Sequence, residues 1–342
     1  MSISLAVKYR PKTWDDVTEQ GNVRQILSQQ LLSGEIKNAY LFCGGAGTGK
    51  TTCARIFANE INKGVGTPME MDAASHNSVE DVRDLNQRAR KKPLEGEYNV
   101  FILDECHVLS NAAWQAMLKL LEEPPAMSIF IFCTTNPEKI PKTILSRVQR
   151  YDFQRISQQG IIDRLQHIFL HEHAGKDYYY DKSALEYIAK IADGGMRDAI
   201  TLLDKCLAYN DELTTENVVA AVGAVDYDVM LNLTDALIYS ETKTVLDIIE
   251  EMYAQGKDLK MFLRDYTSFV LDLCKFNLTG GLEYTKLPET YLPVVKKKLT
   301  TYFDDCSVLL KLLLRLNNDV KWDNSPKSLI EANLFQFCLE GK

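Results

Sequence analysis

The stretch Tyr40–Ala54 reads YLFCGGAGTGKTTCA and contains the pattern G-x-x-x-x-G-K-[ST], with its fixed positions at Gly44, Gly49, Lys50 and Thr51. An apolar run precedes the glycines and a run of helix-forming residues follows them, so the pattern predicts a strand, a tight loop and a helix. In such a loop, backbone N–H groups turn towards phosphate groups, and the helix N-terminus adds the positive end of its dipole. The stretch therefore predicts a loop that binds a nucleoside triphosphate, with Lys50 on the terminal phosphates.

The composition is that of a soluble protein with more than one domain. A length of 342 residues exceeds the roughly 150 residues of a typical domain, so two or three domains are expected. No run approaches the roughly 18 consecutive apolar residues of a membrane span. The first residues, MSISLAVKYRPK, lack the features of an export signal. We therefore expect a cytoplasmic protein that does not enter a membrane.

The cysteines and the charges narrow the range of functions. The eight cysteines are scattered and include no C-x-x-C pair, which predicts reduced thiols in the core rather than disulfides or zinc ligands. The net charge of −8 is uneven, because residues 1–150 have 18 Lys and Arg against 17 Asp and Glu, whereas residues 151–342 have 21 against 30. A contact with DNA, if there is one, is therefore expected to be local and to lie within residues 1–150.

Short β-forming runs alternate with helical patterns up to about residue 153, which is typical of a parallel sheet covered by helices on both faces. The predicted strands are Ala39–Cys43, Met69–Ala73, Asn99–Leu103, Ser128–Cys133 and Arg150–Phe153. Between the third and fourth strands, Asn111 is a candidate cap for a helix that Pro124 and Pro125 end. The predicted fold class is an α/β phosphate-loop domain with a five-stranded parallel sheet and flanking helices.

Helical patterns dominate the rest of the chain. From Ser157 onwards they are interrupted at Gly175, at Gly194 and Gly195, and at Gly223. Farther on, the run Ser307–Leu316 (SVLLKLLLRL) has an apolar stripe wide enough to need burial against other helices. These breaks predict three domains: an α/β domain of residues 1–154, a small helical domain of residues 155–223, and an all-helical domain of residues 224–342.

Two adjacent carboxylates end the predicted third strand, in NVFILDECH. Asp104 is placed to hold Mg²⁺ together with Thr51, and Glu105 is placed to orient and deprotonate an attacking water. A kinase, which passes phosphate to a bound substrate, does not need a water-activating glutamate here, so the pair favours hydrolysis to ADP. The alternative is an acidic strand end that turns into solvent without a catalytic role.

The fourth predicted strand, IFIFCTTN, ends in three polar residues, Thr134, Thr135 and Asn136. One of them is a candidate sensor of the γ-phosphate, because ligands bind at this edge of such sheets, although Thr and Asn also end strands in ordinary turns. Arg147 precedes the fifth strand, and Arg197 follows a pair of glycines. For either arginine alone, a surface ion pair is the simpler explanation.

Six segments carry a resemblance that covers essentially the whole chain. They are LAVKYRPKTWDDV, AYLFCGGAGTGKTTCARIFA, MDAASHNSVEDVRDL, VFILDECHVLSNAAWQAMLKLLEEPP, TTNPEKIPKTILSRVQRYDF and GGMRDAITLLDKC. In spelling and order they resemble the AAA+ clamp-loader ATPases, in particular the gamma/tau subunits of bacterial DNA polymerase III. The resemblance implies an AAA+ ATPase domain, a small helical lid domain and an all-helical collar domain that forms oligomers.

The resemblance also implies roles that spacing alone does not assign. Arg147 matches the finger that reaches the ATP of the neighbouring subunit, Arg197 matches the sensor arginine of the lid, and Thr135 matches sensor one. The expected catalytic residues are thus Lys50, Glu105, Thr135, Arg147 and Arg197, and the expected Mg²⁺ ligands are Thr51 and Asp104. The expected ATP-binding residues are Ala6, Arg10, Pro11 and Val17 on the adenine side, with Gly44, Gly45, Ala46, Gly47, Thr48, Gly49, Lys50, Thr51, Thr52 and Arg197.

The chain departs from the family pattern at three places. The family usually has a four-cysteine zinc module after the phosphate-loop helix, but only NEINKGVGTP lies between Ala58 and Met69, so no zinc is expected. The finger motif reads Ser-Arg-Val around Arg147, which keeps the arginine and lacks the usual cysteine. Glu19 stands where the family favours Gly, which leaves the adenine side less defined. A short form without the longer C-terminal extension is expected.

The implied function is that of an ATPase subunit of a sliding-clamp loader. ATP binding would assemble an oligomer, expected to have five members, that opens the clamp and places it on primer-template DNA, and hydrolysis would release it. The implied partners are the clamp, DNA and other loader subunits. The DNA backbone would be held by helix N-termini near Ser78 and Ser110-Asn111, with basic residues such as Arg83.

Two alternative functions stay open. One is another AAA+ DNA motor, such as a Holliday-junction branch-migration helicase, and the other is a loader scaffold subunit that does not hydrolyse ATP. ATP hydrolysis that depends on the clamp distinguishes a loader subunit from both. Two other features are interpreted as structural. The basic run of Arg88, Arg90, Lys91 and Lys92 suits a helix C-terminus, and His167 and His171 have no evident third metal ligand.

Overall fold

The computed structural model describes residues 3–175, 178–222, 227–287, 292–321, 323 and 325–340. The chain forms two compact units, of which the first comprises Met1–Tyr178 and Ile188–Ala208 and the second Tyr179–Tyr187 and Tyr209–Lys342. Each unit has its own apolar core. Within these described ranges, no helix is long and apolar enough to cross a membrane.

A five-stranded parallel sheet forms the centre of the first unit. Its strands, in the spatial order β2-β3-β4-β1-β5, are β1 (Ala39–Gly44), β2 (Met69–Asp72), β3 (Asn99–Asp104), β4 (Ser128–Thr134) and β5 (Gln149–Phe153). The predicted fold class is confirmed, and each predicted strand differs from the observed one by a single residue at one end. Parallel strands need crossover connections, and these place helices on both faces of the sheet.

Helices cover both faces of the sheet, and the first unit contains further helices beside them. The helices of this unit are α1 (Leu5–Lys8), α2 (Gly21–Ser33), α3 (Lys50–Ile61), α4 (Val79–Ala89), α5 (Asn111–Glu122), α6 (Lys142–Leu145), α7 (Gln158–Glu172), part of α8 (Lys182–Ala192) and α9 (Met196–Tyr209). One face of the sheet packs against α4 and α5, with Trp114 and Met117 in the contact. The other face packs against α2 and α3, with Leu27 and Phe57 in the contact. Successive strand residues alternate between these two cores.

Helix α5 begins one residue away from the predicted cap. Ser110 is its N-cap, because Ser110 has an extended backbone and its Oγ accepts a hydrogen bond from Ala113 N at 3.2 Å. The prediction of Asn111 as the cap is wrong, since Asn111 already has a helical backbone. Both residue types cap helices well, and here the serine hydroxyl reaches the free N–H group. The helix ends at Glu122, before the prolines, as predicted.

In the described residues of the second unit, the regular secondary structure is helical apart from one isolated bridge. Its further helices are α10 (Thr215–Val222), α11 (Tyr227–Ile238), α12 (Thr242–Ala254), α13 (Leu259–Thr279), α14 (Leu292–Val320) and α15 (Pro326–Glu340). The predicted apolar run lies in α14, where Leu309 and Leu313 are fully buried. They share a core with Tyr266, whose hydroxyl lies 3.0 Å from Thr234 Oγ1. The wide apolar stripe is therefore accommodated at least in part by neighbouring helices of the same unit.

The two compact units do not follow the three predicted domains. Of the predicted lid domain, residues 155–178 and 188–208 belong to the first unit and the others to the second. The predicted breaks at Gly175 and Gly194 coincide with turns in which these residues have φ values of 79° and 84°. The predicted break at Gly223 lies outside the described residues. The three-domain boundaries stay a prediction.

Candidate functional site

The phosphate-loop pattern forms the connection between β1 and α3. Gly47 and Gly49 have φ values of 69° and 98°, in the left-handed region that glycine adopts without strain. A Cβ atom on Gly47 would lie 2.9 Å from the Cα atom of Gly195, so the loop also approaches a neighbouring turn too closely for a side chain. Helix α3 starts directly after Gly49, with Lys50 and Thr51 in its first turn. The positive end of its dipole therefore faces the loop.

Lys50 is buried inside this loop, with 6% of its surface exposed. Its Nζ donates hydrogen bonds to the carbonyl oxygens of Gly44 and Gly45, at 2.8 and 2.7 Å. Burial lowers the pKa of the ammonium group, and the nearby carboxylates of Glu105 and Asp104 oppose that shift. A buried cation held by neutral carbonyls gains from a nearby anion, which is the electrostatic setting that a polyphosphate needs.

Thr51 and Asp104 bring two oxygen ligands together beside the loop. Thr51 Oγ1 donates a hydrogen bond to Asp104 Oδ2 at 2.8 Å, which joins the first turn of α3 to the end of β3. Hydroxyl and carboxylate oxygens of this kind are the ligands that Mg²⁺ prefers, so the pair fits the predicted metal. In the described part of the chain, no group of three or more His, Cys, Asp or Glu side chains could hold a metal ion. The expectation that zinc is not bound stays a prediction.

Glu105 follows β3 with a left-handed backbone, at φ 46°. Its Oε2 accepts a hydrogen bond from Thr135 Oγ1 at 3.0 Å and lies 3.2 Å from His107 Nδ1. Because β3 and β4 are neighbours in the sheet, their carboxyl ends deliver the candidate base and the candidate sensor to one place. The sequence analysis did not select His107. Its position two residues after Glu105 is the sequence feature that indicates such a contact.

A cavity of about 280 Å³ lies at this edge of the sheet. The predicted residues that line it are Ala6, Arg10, Pro11, Val17, Ala46, Gly47, Thr48, Gly49, Lys50, Thr51, Thr52, Asp104, Glu105 and Arg197. The predicted Gly44, Gly45 and Thr135 do not line the cavity but contact Lys50 or Glu105. Arg147 neither lines the cavity nor contacts these residues. One chain thus brings together every predicted site residue except Arg147.

The N-terminus of α9 forms a wall of this cavity. Met196 N donates a hydrogen bond to Gly47 O at 3.0 Å, which attaches α9 to the phosphate loop, and Arg197 lines the cavity. Burial lowers the pKa of Arg10, and the charges of Arg55 and Arg197 lower it further. Arg10 and Arg197 both line the cavity, and two neighbouring guanidinium groups favour a polyanion between them.

The N-terminal segment supplies lining residues that the sequence analysis did not select. The Tyr9 hydroxyl contacts Glu172 and lies 2.7 Å from His171 Nδ1, and Arg164 donates a hydrogen bond to the carbonyl oxygen of Tyr9 at 3.0 Å. Tyr9 and Arg164 both line the cavity. Burial raises the pKa of Tyr9, and Glu172 adds to the shift, so the phenol stays protonated. The partners are 155 to 163 positions apart, which leaves no local pattern to predict them from.

The position where the family favours glycine keeps a glycine-like backbone. Glu19 and the following Gln20 have φ values of 61° and 57°. The Glu19 carboxylate accepts hydrogen bonds from Ser157, the N-cap of α7, through the backbone N at 3.1 Å and through Oγ. Gln20 exchanges two hydrogen bonds with the backbone of Gln154, at 2.7 and 3.2 Å. These contacts offset the strain of two consecutive left-handed residues. Val17, on the predicted adenine side, still lines the cavity.

Arg147 has its partners elsewhere in the first unit. Its Nη2 donates a hydrogen bond to Glu122 Oε1 at 2.8 Å, and its Nη1 donates to Thr143 O at 2.8 Å and to Ser146 Oγ at 3.1 Å. About a third of the side chain, 35%, is exposed. A residue so placed does not complete the cavity of its own chain, which is the placement that action on a neighbouring subunit requires.

The two helix N-termini expected to meet DNA lie side by side, because the residue before Ser78 accepts a hydrogen bond from Ser110 N. At α4, the Asp81 carboxylate accepts hydrogen bonds from Ser78 N and Oγ at 3.0 and 2.6 Å, and its charge opposes a phosphate group there. Arg83 lies 3.7 Å from Glu80 in an exposed pair. The first turn of α5 contains no acidic residue. The N-terminus of α5 is therefore the better suited of the two to a phosphate group.

Three family descriptions match consecutive parts of the chain. Residues 65–157 match the DNA polymerase III delta subunit, and residues 160–212 match the ATPase lid domain of the DNA polymerase III clamp loader subunit. Residues 213–338 match domain III of the DNA polymerase III subunits gamma and tau. The predicted order of an ATPase domain, a helical lid and an all-helical C-terminal part is thereby confirmed.

Individual relatives agree with these matches. DNA polymerase III subunit tau of Bacillus subtilis is 34% identical to the chain, over 96% of this chain and 62% of the relative. The corresponding subunit of Escherichia coli is 36% identical, over 76% of this chain and 43% of the relative. The chain therefore spans less than two thirds of the length of these two relatives.

Solved structures agree at the level of the fold. The Thermotoga maritima RuvB Holliday junction branch migration motor gives a TM-score of 0.52 at 21% identity, over 67% of this chain and 79% of that one. At this identity the likeness shows the shared AAA+ fold alone. The recognition of the gamma/tau clamp loaders from the sequence is confirmed by the family matches and the relatives. The chain belongs to the family of the gamma and tau clamp-loader subunits of DNA polymerase III.

Proposed function

We propose that the chain is an ATP-hydrolysing subunit of a sliding-clamp loader. The observation that carries the proposal is the meeting of Lys50, the Thr51–Asp104 pair and the Glu105–Thr135 pair at one cavity. Such a loop grips a triphosphate, and a carboxylate beside it activates water. Membership of the gamma/tau family supports the loader role over other uses of the same site.

The phosphates of ATP would lie in the loop, with the adenine towards Ala6, Arg10, Pro11 and Val17. Backbone N–H groups and Lys50 would hold the β- and γ-phosphates, and Arg197 would add positive charge from α9. Mg²⁺, which the Thr51–Asp104 pair fits, supplies charge neutralisation on the phosphate oxygens when bound. The loop and the helix therefore fix the substrate before any bond changes.

Glu105 would act as the general base. It takes a proton from a water molecule, whose oxygen forms a bond to the γ-phosphorus as the bond to the bridging oxygen of ADP breaks. Thr135 holds the Glu105 carboxylate through the hydrogen bond of 3.0 Å. The products are ADP and inorganic phosphate.

Arg147 would complete the site of the next subunit. Support comes from its place outside the cavity of its own chain and from its partly exposed side chain. In other NTPases an arginine finger raises the rate by about 10³- to 10⁵-fold. Hydrolysis would then depend on assembly, so that ATP binding joins subunits around an open clamp and hydrolysis separates them.

The remaining parts of the proposal follow from the family. The partners would be the clamp, primer-template DNA and other loader subunits in a five-membered assembly within the cytoplasm. The domains would be residues 1–154, 155–223 and 224–342, with the last forming the collar. The family matches that begin at residues 160 and 213 support this division approximately. Zinc would have no role.

ATP hydrolysis by the purified loader assembly, with and without clamp and primer-template DNA, tests the proposal. We expect clamp and primed DNA together to raise kcat several-fold. A rate that is the same for the monomeric chain and for the assembly with clamp and DNA would contradict it. A branch-migration motor would instead respond to four-way junction DNA without any clamp.

A further inference from the structure

The three hydrogen-bond acceptors of the Arg147 guanidinium in the described structure are of two kinds. Thr143 O and Ser146 Oγ, at 2.8 and 3.1 Å, belong to the four residues that precede Arg147, so these two contacts are local in the sequence. Glu122 Oε1, at 2.8 Å, lies 25 positions earlier in the chain. Of these three acceptors, Glu122 is therefore the one that joins the guanidinium to a separate element, helix α5.

Helix α5, which carries Glu122, is held in place at its N-terminus and against the sheet. The helix is capped by Ser110, and it buries Trp114 and Met117 against the sheet. Glu122 is its last residue, with 45% of the side chain exposed next to Arg147. Core packing thus sets the position of a carboxylate that itself faces solvent.

Binding to Glu122 leaves Arg147 able to bind a phosphate group. A guanidinium has five N–H donors. Nη1 donates two hydrogen bonds, to Thr143 O and Ser146 Oγ, and Nη2 donates one, to Glu122 Oε1. The Nε–H and the second Nη2 hydrogen have no acceptor in the described part of the chain, and two such donors suit two phosphate oxygens. Glu122 and a phosphate group can therefore be bound at the same time.

We propose that Glu122 is a positioning residue for the arginine finger, holding the Arg147 guanidinium where it meets the γ-phosphate bound to the next subunit. The inference rests on the proposed function, because it requires Arg147 to act on a neighbouring chain. A free arginine side chain samples many rotamers, and a misplacement of about 1 Å can cost about 10²-fold in rate. An exposed ion pair contributes little to folding stability, so the loss of Glu122 affects the rate rather than the fold.

Two versions of the chain isolate this contact. A pocket chain carries Arg147→Ala and keeps the nucleotide site, and a finger chain carries Lys50→Ala and keeps Arg147. In a mixed loader assembly, a complete site forms only where a pocket chain meets a finger chain. Glu122→Ala and Glu122→Gln are placed on the finger chain. The matched control is Glu123→Ala, at an exposed neighbour without an ion pair in the described structure. The measurements are kcat, KM for ATP and assembly by size-exclusion chromatography.

We expect Glu122→Ala on the finger chain to lower kcat by about three- to tenfold, with KM and assembly unchanged. Glu122→Gln, which keeps a neutral acceptor, should lower kcat less, and Glu123→Ala should leave it unaltered. An unchanged or raised kcat with Glu122→Ala would overturn the inference. If the mixture of pocket and finger chains without further changes hydrolyses no more ATP than either chain alone, then the shared site is wrong, and with it the proposed role of Arg147.

Discussion

Glu105 combines a strand end, a left-handed backbone and a carboxylate that both Thr135 and His107 contact. A left-handed backbone costs a non-glycine residue about 1–2 kcal/mol, so the surrounding contacts must maintain it. This backbone conformation makes a tight turn, which places the Glu105 carboxylate beside the ends of β3 and β4 instead of in open solvent. A carboxylate fixed in this way keeps its orientation during proton transfer, as the proposed role of general base requires.

Replacing Glu105 with Gln separates binding from hydrolysis. The amide keeps an oxygen that accepts the Thr135 hydrogen bond but has no basic group. We expect kcat for ATP hydrolysis in Glu105→Gln to fall by about 10²- to 10⁴-fold, with an essentially unchanged Kd for ATP. Single-turnover hydrolysis and titration with a fluorescent nucleotide on the same preparation provide the measurement. Glu123→Gln makes the same chemical change at an exposed site and serves as the control. Normal turnover by Glu105→Gln would show that another group is the base.

At the scale of elements, the phosphate loop and the turn before α9 form a single contact. Gly47 faces Gly195 at a distance that excludes a methyl group, and the hydrogen bond from Met196 N closes the contact. The segment that carries Arg197 is thereby attached to the loop that is proposed to hold the phosphates. Disturbing either glycine should therefore disturb both walls of the cavity.

A pair of glycines with similar backbones tests this contact. Gly34 has φ 72°, close to the 69° of Gly47, but a Cβ atom on Gly34 would meet nothing within 4 Å. Alanine adds comparable backbone strain at both positions, about 1–2 kcal/mol, and adds a clash only at Gly47. We expect Gly47→Ala to weaken ATP binding by at least about tenfold and Gly34→Ala to leave it unchanged while lowering stability. Nucleotide titration and urea unfolding measure the two effects. Equal ATP affinities would argue against a functional close contact.

The elements differ in how far the sequence predicts them. The strands are predictable because apolar and β-branched runs stand between turn residues, and the observed bounds follow within one residue. The start of α5 is not predictable to the residue, because Ser110 and Asn111 are both good N-cap residues. Only the backbone conformation in the folded chain shows which of them is the N-cap. Lys50 and Glu105 are predictable from local motifs. Arg164, which meets Tyr9 across 155 positions, is not, because that contact depends on how distant segments pack.

At the scale of the whole molecule, charge and helix ends together favour one place for the proposed DNA contact. The net charge of −8 arises after residue 150, so a DNA backbone is best met by the first part of the chain. Within it, the α5 N-terminus is free of acidic residues in its first turn, whereas Asp81 stands at the α4 N-terminus. Phosphate binding should therefore depend more on Ser110 than on Ser78.

Aspartate substitutions distinguish the two helix ends. Aspartate is a good N-cap, so Ser110→Asp preserves the helix and adds a negative charge. We expect Ser110→Asp to weaken primer-template DNA binding by the loader assembly about three- to tenfold, and Ser78→Asp to weaken it less. Fluorescence anisotropy of labelled DNA at several salt concentrations provides the measurement, and ATP affinity without DNA is the control. A larger loss with Ser78→Asp would reverse the assignment.

If Arg147 acts on the next subunit, as proposed, its separation from the cavity of its own chain has a consequence for symmetry. Chains that share sites in this manner must join unlike surfaces, so the contact is heterologous and a two-fold dimer cannot satisfy it. Every member then gives a guanidinium to one side and receives one from the other, which confers a direction on the array. In an open arc, the chain at one end has an ATP pocket without a neighbour to complete it. The chain at the opposite end has an arginine finger without a neighbouring pocket to enter. The two ends can therefore be occupied by members that have lost those parts without any loss of working sites.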